Sequence, residues 1–268
     1  LSITNCKMYH SLRATMAETV LVTGGAKRIG RQICLGLAEA GFYVVVHHRN
    51  SESESSELVD QIRSLGSKAE SVRCDLSEPD ATSQLISKSI DLMGPISHLV
   101  NNASVFEHDD IYNVNETSWD LHMSVNAKAQ TLLIQSLARE ISGGENRGSV
   151  VNILDQKIAS PNPDHLSYTA SRFAMMGLTE VLARALAPSI RVNAVAPGHT
   201  IASPEQTEDG FRIAQSESPL GSGLTPKQVA DAVLFLINAK SVTGQIIFVD
   251  SGERFLNRKR DVVFETED

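Results

Sequence analysis

From residue 18 onward, the sequence alternates short apolar runs with longer stretches whose apolar residues recur with a helical period. Seven runs predict strands, near Thr19–Thr23, Tyr43–Val46, Ala69–Cys74, His98–Val100, Ser149–Leu154, Arg191–Val195 and Ile246–Val249. Six stretches predict helices, near Arg28–Ala40, Glu52–Leu65, Asp80–Met93, Thr117–Ile141, Leu166–Leu186 and Pro226–Ile237. Strands rich in Val, Ile and Leu that alternate with helices are buried on both faces of a parallel sheet. The pattern therefore predicts an α/β fold, with one doubly wound parallel sheet of the Rossmann type and helices on both faces.

The close spacing of these elements leaves no room for a second core, so we predict one domain over residues 18–256. Residues 1–17 are expected to form a poorly ordered N-terminal extension, and residues 257–268 a charged C-terminal tail. The segment 198–223 is rich in Ser, Glu, Gly and Pro and shows no strand or helix pattern. Long loops inside compact domains are usually functional or disordered, and we expect this one to shape the substrate pocket.

The charge balance limits the partners. The chain has 32 acidic and 24 basic residues and a net charge of −8, whereas a nucleic-acid-binding domain needs a basic face. No apolar run reaches the roughly 18 residues that span a membrane, and residues 1–15 lack the features of a signal peptide. Three widely spaced cysteines indicate neither a disulfide framework nor a metal site. We expect a cytoplasmic protein that binds a small molecule.

A glycine-rich turn joins the first predicted strand to the first helix and reads Thr23-Gly24-Gly25-Ala26-Lys27-Arg28-Ile29-Gly30. Glycines let the backbone approach a pyrophosphate, and the free amides of a helix N-terminus attract anions. Lys27 and Arg28 add local positive charge. Tight turns also need glycine, so the motif alone is weak, but its position in the first strand–helix unit favours a dinucleotide.

The end of the second predicted strand reads His47-His48-Arg49-Asn50-Ser51 and contains no carboxylate. An acidic residue there would bind the ribose 2′-hydroxyl of NAD. Arg49 and Ser51 can instead hold a 2′-phosphate through charge-assisted hydrogen bonds, so we predict NADPH/NADP+ as the cofactor, with His48 and Asn50 beside it. The alternative is an arginine that merely extends from a strand end.

Two further strand ends carry candidate cofactor ligands. Asp75 and Leu76 follow the third predicted strand, where Asp75 can bind the adenine amino group or simply cap the next helix. Asn102 and Ala103 follow the fourth strand and place an amide and a small residue beside the cofactor path. Buried asparagines also tie loops together without any ligand.

Tyr168 and Arg172 lie one helical turn apart in the stretch LSYTASRF. This spacing puts both side chains on one helix face, where a cation stabilises a phenolate and makes the phenol a proton donor. The same pair also occurs on ordinary solvated helices, so the spacing alone does not establish catalysis.

Taken together, these segments resemble the short-chain dehydrogenase/reductase family over about Val20 to Gly252. The likeness is carried by TGGAKRIG, CDLS, NNAS, Asn126, VVNILD, Tyr168 with a cation four residues later, RVNAVAPG and TGQIIFVDSG. In that family the tyrosine protonates the substrate, the cation binds the nicotinamide ribose and lowers the tyrosine pKa, and the asparagine holds a relay water. The resemblance assigns these roles to Tyr168, Arg172 and Asn126. It also implies cofactor contacts at Pro197 and Gly198, and a homotetramer packed through two long helices.

Three departures from the usual family pattern resemble its pteridine reductase branch. Arg28 stands at the usual middle glycine, Asp155 replaces the usual serine, and the stretch after the fourth strand reads Asn102-Ala103-Ser104-Val105-Phe106. By this resemblance Phe106 stacks on the pterin ring, and Ser104 lies near the cofactor phosphate and the pterin. Asp155 and Tyr168 supply the proton, and Arg28 lies between phosphate and substrate. The structural alternatives are that Phe106 belongs to the core and that Asp155 caps a turn.

The predicted function is therefore an NADPH-dependent oxidoreductase that reduces a pteridine or a similar heteroaromatic or carbonyl substrate. One alternative is a generic short-chain carbonyl or 3-oxoacyl reductase, for which serine is expected at position 155. Another is a non-catalytic NADPH-binding protein, because the branch has lysine where this chain has Arg172. Arginine keeps the positive charge, but its planar guanidinium group is bulkier than the ammonium group of lysine and directs its donors differently.

Overall fold

The computed structural model describes residues 17–141, 148–203 and 206–266. All seven predicted strands are present: β1 Thr19–Val22, β2 Tyr43–His48, β3 Ala69–Arg73, β4 Ile96–Asn101, β5 Gly148–Ile153, β6 Ile190–Pro197 and β7 Ile246–Val249. They form one parallel sheet in the order β3-β2-β1-β4-β5-β6-β7. The strand order reverses between β1 and β4, and ligands of such sheets bind beyond the carboxyl ends at this switch point. The predicted fold class is confirmed.

The helices lie between the strands, as the sequence pattern predicts. They are α1 Arg28–Glu39, α2 Glu52–Ser64, α3 Pro79–Ser83, α4 Leu85–Met93, α5 Glu116–Met123, α6 Gln130–Ile141, α7 Leu166–Leu186, α8 Glu208–Ser216, α9 Pro226–Asn238 and α10 Val262–Glu265. Short 3₁₀ turns cover Gln156–Ile158 and Glu253–Phe255. Among the described helices, none combines the length and the apolar character needed to cross a membrane. The predicted N-terminal extension falls almost entirely on residues 1–16, outside the described ranges.

Alternate residues of the central strands point to opposite faces of the sheet. Val20 and Val22 of β1 pack with residues of α1, α2 and α9, whereas Leu21 packs with residues of α4, α6 and α7. All three side chains are fully buried. Burial of each such side chain contributes about 1.5–3 kcal/mol, so the two apolar layers explain why the strands read as continuous apolar runs.

Three predicted elements differ from the structure. The helix predicted near Asp80–Met93 is divided at Gln84 into α3 and α4. The segment 198–223 is not entirely irregular, because it contains α8, whose N-cap Thr207 accepts a hydrogen bond from the amide of Gly210. The long helix predicted near Thr117–Ile141 is interrupted by a π-helical turn at Ser124–Ala129. The π turn lies inside a stretch whose apolar residues recur with a helical period on both sides. The sequence pattern therefore does not reveal it.

The charged C-terminal tail packs against the domain as far as Thr266. Asp164 accepts hydrogen bonds from the guanidinium of Arg260 and from the backbone amide of Asp261. The carboxylate of Asp261 forms an ion pair with Lys157 at 2.7 Å, and both residues are buried. Apolar patterning could not reveal this docking, because charged side chains rather than apolar ones make the main contacts.

We predict that the Lys157–Asp261 ion pair stabilises the fold. Asp261→Asn would leave the buried ammonium without its counterion and lower the free energy of unfolding by about 3 kcal/mol, measured by urea denaturation. Asp209→Asn removes an exposed partner of Arg212 and serves as the control, with no measurable change expected. Equal effects of the two substitutions would contradict a stabilising role.

Candidate active site

A cavity of about 550 Å³ lies at the carboxyl edge of the sheet, around the switch point between β1 and β4. Fourteen of the predicted site residues line it: Gly24, Lys27, Arg28, Ile29, Gly30, Asn102, Ala103, Ser104, Phe106, Asp155, Tyr168, Arg172, Pro197 and Gly198. They come from segments far apart in the sequence, which meet because parallel strands end at the same edge.

The glycine-rich turn is shaped for close backbone approach. Gly24 has φ of +60°, which favours glycine, and a Cβ at Gly30 would lie 2.1 Å from the carbonyl oxygen of Gly24. Helix α1 begins without a side-chain cap, so its first amides remain available to an anion. The turn therefore fits the pyrophosphate of a dinucleotide.

The side chain of His47 fixes the glycine-rich turn through hydrogen bonds, a role that the sequence did not reveal. Its Nδ1 accepts a hydrogen bond from the amide of Gly24 at 3.0 Å, and its Nε2 donates to the carbonyl of Cys74 at 3.0 Å. Burial lowers the pKa of His47 to about 4, so the ring is neutral at physiological pH. The side chain links the ends of β2 and β3 to the first turn of the cofactor site.

Arg28 connects the glycine-rich turn to the loop after β6. Its guanidinium donates to the carbonyl oxygens of Ala202 at 3.0 Å and Ile201 at 3.2 Å. Its φ of +53° explains why glycine is usual here, because a side chain in this region costs free energy. Lys27 forms an exposed ion pair with Glu54, so part of its charge is already neutralised.

A second cavity of about 230 Å³ lies beyond β2 and is lined by His48, Arg49, Asn50, Glu52 and Arg73. Two guanidinium groups at one cavity fit a 2′-phosphate. Arg73 was missed by the sequence analysis, although it pairs with His48 in the parallel register of β2 and β3. Ser51 lies outside this lining, where it precedes α2.

Asp75 and Leu76 lie outside both cavity linings. The carboxylate of Asp75 accepts hydrogen bonds from the amide and hydroxyl of Ser77 and so stabilises the turn before α3, but the residue that precedes this helix as its N-cap is Glu78. Leu76 is buried and packs into the core. The predicted adenine contact of these two residues remains a prediction.

Tyr168, Asp155 and Arg172 form one connected group. The hydroxyl of Tyr168 donates to Oδ2 of Asp155 at 2.8 Å, while Oδ1 of Asp155 accepts the amide of Lys157. The aspartate thus caps a turn and contacts the tyrosine at the same time. The guanidinium carbon of Arg172 lies 4.8 Å from the centroid of the Tyr168 ring.

Arg172 is buried and points into the site. One guanidinium nitrogen donates to the carbonyl of Ile153 at 3.2 Å and another to the hydroxyl of Ser104 at 2.6 Å. Its Nε is buried and has no hydrogen-bond acceptor among the described residues. A buried donor without a partner is costly, so this nitrogen is available to a bound ligand.

The tyrosine is a neutral phenol in this environment. Burial raises the pKa of Tyr168; the positive charge of Arg172 opposes the shift, and the Asp155 carboxylate adds to it. The predicted lowering effect of the cation is therefore present but smaller than the effect of burial. A phenol that keeps its proton at physiological pH is suited to donate it to a bound substrate.

Asn126 lies outside the cavity lining, in the π-helical turn after α5. Its side chain is fully buried, accepts the amide of Val105 at 2.8 Å and donates to the carbonyl of Val105 and the hydroxyl of Ser171. It therefore holds the strand end that carries Ser104 and Phe106 against α7.

Phe106 presents an aromatic face to the cavity. Its side chain is 44% exposed, so it does not belong to the core. The ring meets Tyr168 edge-on at 4.7 Å between centroids and stacks on His165 at 4.0 Å. A partly exposed ring beside a proton donor can receive a flat heterocycle.

A buried polar cluster positions both aromatic groups. Asp109 accepts hydrogen bonds from the backbone amide and hydroxyl of Ser167, the residue before Tyr168. His122 accepts the amide of Glu107 and contacts the Ser167 hydroxyl at 2.7 Å. Serine, histidine and aspartate meet here as in a hydrolase, but all three are buried away from the cavity. The cluster therefore fixes the start of α7.

Several lining residues were not predicted from the sequence. They include Glu253, from the loop after β7, and Arg258, Asp261, Val262 and Val263 of the tail. His199 also lines the cavity, and it belongs to the segment 198–223 that was expected to shape the pocket. In the part of the chain that the structure describes, no group of three or more His, Cys, Asp or Glu side chains is arranged to hold a metal ion.

Comparison with known proteins gives a consistent result. The sequence profile of the family described as short chain dehydrogenase matches residues 18–209. A 3-oxoacyl-[acyl-carrier-protein] reductase of Staphylococcus epidermidis is 30% identical over 242 residues, which are 88% of this chain and 99% of the relative. The corresponding reductase of Thermotoga maritima is 32% identical over 240 residues, covering 88% and 97% of the two chains.

Two solved structures share the fold and a higher identity. FolM alternative dihydrofolate reductase 1 from Brucella canis, complexed with NADP, has a TM-score of 0.85 and 37% identity, covering 89% of this chain and 94% of the other. The Brucella suis protein of the same name, in complex with NADP, has a TM-score of 0.81 and 36% identity, with 89% and 95% covered.

We predict that His47 makes folding stability depend on pH. Its pKa falls from 6.5 when unfolded to about 4 in the fold, so its full contribution is present above pH 6.5 and is lost as the pH falls towards 4. Urea denaturation of His47→Gln should show a shallower loss of stability between these values than the unchanged protein. His108→Gln is the control, since its ring lies against Asp164 and bonds to no atom of this turn. Parallel pH profiles for His47→Gln and the unchanged protein would contradict the prediction.

Proposed function

The chain belongs to the short-chain dehydrogenase family of oxidoreductases, and we propose that it reduces a C=N bond of a dihydropteridine with NADPH. The observation that carries this proposal is the contact between Tyr168 and Asp155 beside the exposed ring of Phe106. A carboxyl group next to the phenol suits protonation of a ring nitrogen, and the aromatic face suits a flat heterocycle.

NADP(H) is the cofactor that the comparisons and the site agree on. Both Brucella structures contain NADP. The glycine-rich turn offers backbone amides to the pyrophosphate, and Arg49 and Arg73 offer guanidinium groups to a 2′-phosphate. The buried Nε of Arg172 suits the nicotinamide ribose. When bound, the cofactor supplies the hydride.

The residues of the chain supply the proton. The hydroxyl of Tyr168 gives its proton to the substrate nitrogen, and the charge left on the phenolate is stabilised by the Arg172 guanidinium 4.8 Å from the ring. Asp155, which accepts a hydrogen bond from the hydroxyl at 2.8 Å, takes up a proton from solvent and passes it to the phenolate, which restores the phenol. Phe106 and Arg28 orient the heterocycle at the mouth of the site, and Ser104 positions Arg172.

Reduction of a 3-oxoacyl group is the second candidate, because relatives with that activity in their names are about a third identical. Asp155 and the exposed Phe106 favour the heterocycle. A carbonyl oxygen can take its proton from the tyrosine alone, so the second acid has no clear use there. The third interpretation, a non-catalytic NADPH-binding protein, is less favoured because Arg172 contacts the tyrosine ring.

The expected homotetramer and cytoplasmic location remain proposals. Helix α7 has partly exposed apolar side chains at Phe173, Met176 and Val181, which supports burial of this face between copies of the chain.

We expect the protein to oxidise NADPH in the presence of dihydrobiopterin or dihydrofolate, followed by the loss of NADPH absorbance. A diketone and a 3-oxoacyl thioester should be poorer substrates. Asp155→Ser should lower turnover of the dihydropteridine by at least about tenfold more than turnover of the diketone, because only the former is protonated on nitrogen. Preference for the thioester, with Asp155→Ser harmless, would support the second candidate instead.

A second prediction concerns the cation. Arg172→Met should lower turnover and weaken NADPH binding, because it removes both the charge beside Tyr168 and the donors for the ribose. Arg172→Lys should retain activity, since the charge is kept. Tyr168→Phe is the matched comparison and should abolish turnover while NADPH affinity, measured by calorimetry, stays nearly unchanged. If Arg172→Met altered neither quantity, the guanidinium would have no part in the reaction.

A further inference from the structure

The cavity that contains Asp155 has a second carboxyl group in its wall, that of Glu253. This residue begins the 3₁₀ turn after β7, in a segment for which the sequence predicted no site residue. Only 6% of its surface is exposed. A glutamate that is this buried needs a partner for its charge or its proton.

The chain holds one oxygen of Glu253 in place. Oε2 accepts a hydrogen bond from the backbone amide of His199 at 2.6 Å. A Cβ at Gly198 would lie 2.5 Å from the same oxygen, so the glycine makes room for the carboxyl group. Both the His199 amide and the absence of a side chain at Gly198 therefore allow Glu253 to lie against the loop after β6.

The other oxygen of Glu253 has no hydrogen-bond partner among the residues that the structure describes. Within residues 17–141, 148–203 and 206–266, nothing donates a hydrogen bond to Oε1 and no cation lies within ion-pair distance. Arg258 lines the same cavity, but the two terminal nitrogens of its guanidinium are engaged by Glu217 at 2.7 Å and Glu265 at 3.0 Å. Burial raises the pKa of Glu253 to about 7; the His199 amide and the positive charge of Arg258 oppose this shift, and the Asp155 and Asp250 carboxyl groups add to it.

A donor from the substrate would satisfy this group. Amino-substituted pyrimidine rings carry adjacent N–H donors in one plane, and a carboxylate accepts such donors through charge-assisted hydrogen bonds. A ketone or an acyl thioester has no comparable donor at its reacting end. The chemistry of the wall therefore separates the two candidate substrate classes.

We propose that Glu253 is a substrate-binding residue that accepts a hydrogen bond from the N–H donors of an aminopyrimidine-type ring, and that it sets specificity for such heterocycles over simple carbonyl compounds. This inference rests on the proposed function for the identity of the substrate. Asp155 and Tyr168 act on the reacting bond, while Glu253 holds the ring by its amino-substituted edge.

The test is Glu253→Gln, which keeps an oxygen for the His199 amide but presents an NH₂ group where the free carboxyl oxygen stood. Binding of 2,4-diaminopteridine to the NADPH-loaded protein should weaken by about tenfold or more, as expected for one charge-assisted hydrogen bond. The KM for dihydrobiopterin should rise while kcat changes little. The KM for a diketone and the Kd for NADPH should stay unchanged.

Glu217→Gln is the matched control, because it makes the same chemical change at a partner of Arg258 outside the cavity. If it reproduced the effect of Glu253→Gln, the effect would pass through Arg258 and the proposal would be wrong. Equal losses for dihydrobiopterin and the diketone, or unchanged binding of 2,4-diaminopteridine, would also overturn it.

A ligand pair tests the same contact without a substitution, should Glu253→Gln fail to fold. The unchanged protein should bind 2,4-diaminopteridine about tenfold or more tightly than 2,4-dimethylpteridine, which lacks the donors. Equal affinities, or no binding of either, would refute the role of Glu253. Turnover of dihydropteridines without any dependence on Glu253 would leave the proposed function standing. Binding that depends on Glu253, without turnover, would reject that function and keep this inference.

Discussion

The turn between β1 and α1 leaves no room for a side chain at Gly30, where a Cβ would lie 2.1 Å from the Gly24 carbonyl and 2.6 Å from Nδ2 of Asn102. Asn102 fills this space and donates to the carbonyl oxygens of Thr23 and Gly24. The Gly24 amide in turn bonds to His47. The ends of β1, β2 and β4 are therefore tied together at the switch point, and the position of every group in the cavity depends on this junction.

The charged side chains of the cavity are held in place by neighbouring hydrogen-bonding groups. Arg172 is buried beside Tyr168. Its guanidinium is held by two neutral acceptors, the Ile153 carbonyl and the Ser104 hydroxyl. Asp155 is fixed by the amide of Lys157. Backbone groups thus help to orient both side chains, which holds the Tyr168 hydroxyl against Asp155 and the Tyr168 ring against Arg172 in a preorganised arrangement.

Sequence patterns predicted the parts of the structure in which apolar periodicity determines the conformation. Helix α7, Leu166–Leu186, and strand β7, Ile246–Val249, have the bounds that the pattern gave. Helix α8 was missed because it lies in a polar segment, where a cap rather than an apolar stripe marks its start. Fourteen of the residues that line the cavity were predicted, but His47 and Glu253 act through hydrogen bonds to backbone atoms at distant positions. Such contacts have no local signal, since they exist only once the strand ends meet.

Arg172 stands where the family pattern has lysine, and the surrounding residues accommodate the larger side chain. A guanidinium presents several donors in one plane, and here two of its nitrogens are engaged by Ile153 and Ser104. This uses the Ser104 hydroxyl, which the resemblance had assigned to the cofactor phosphate and the substrate. Because the Ser104 hydroxyl accepts this bond, it has less hydrogen-bonding capacity left for a ligand. The buried carboxyl group of Glu253 is a group of the right chemistry in the cavity wall, so the substitution at position 172 and the acid at position 253 are parts of the same site.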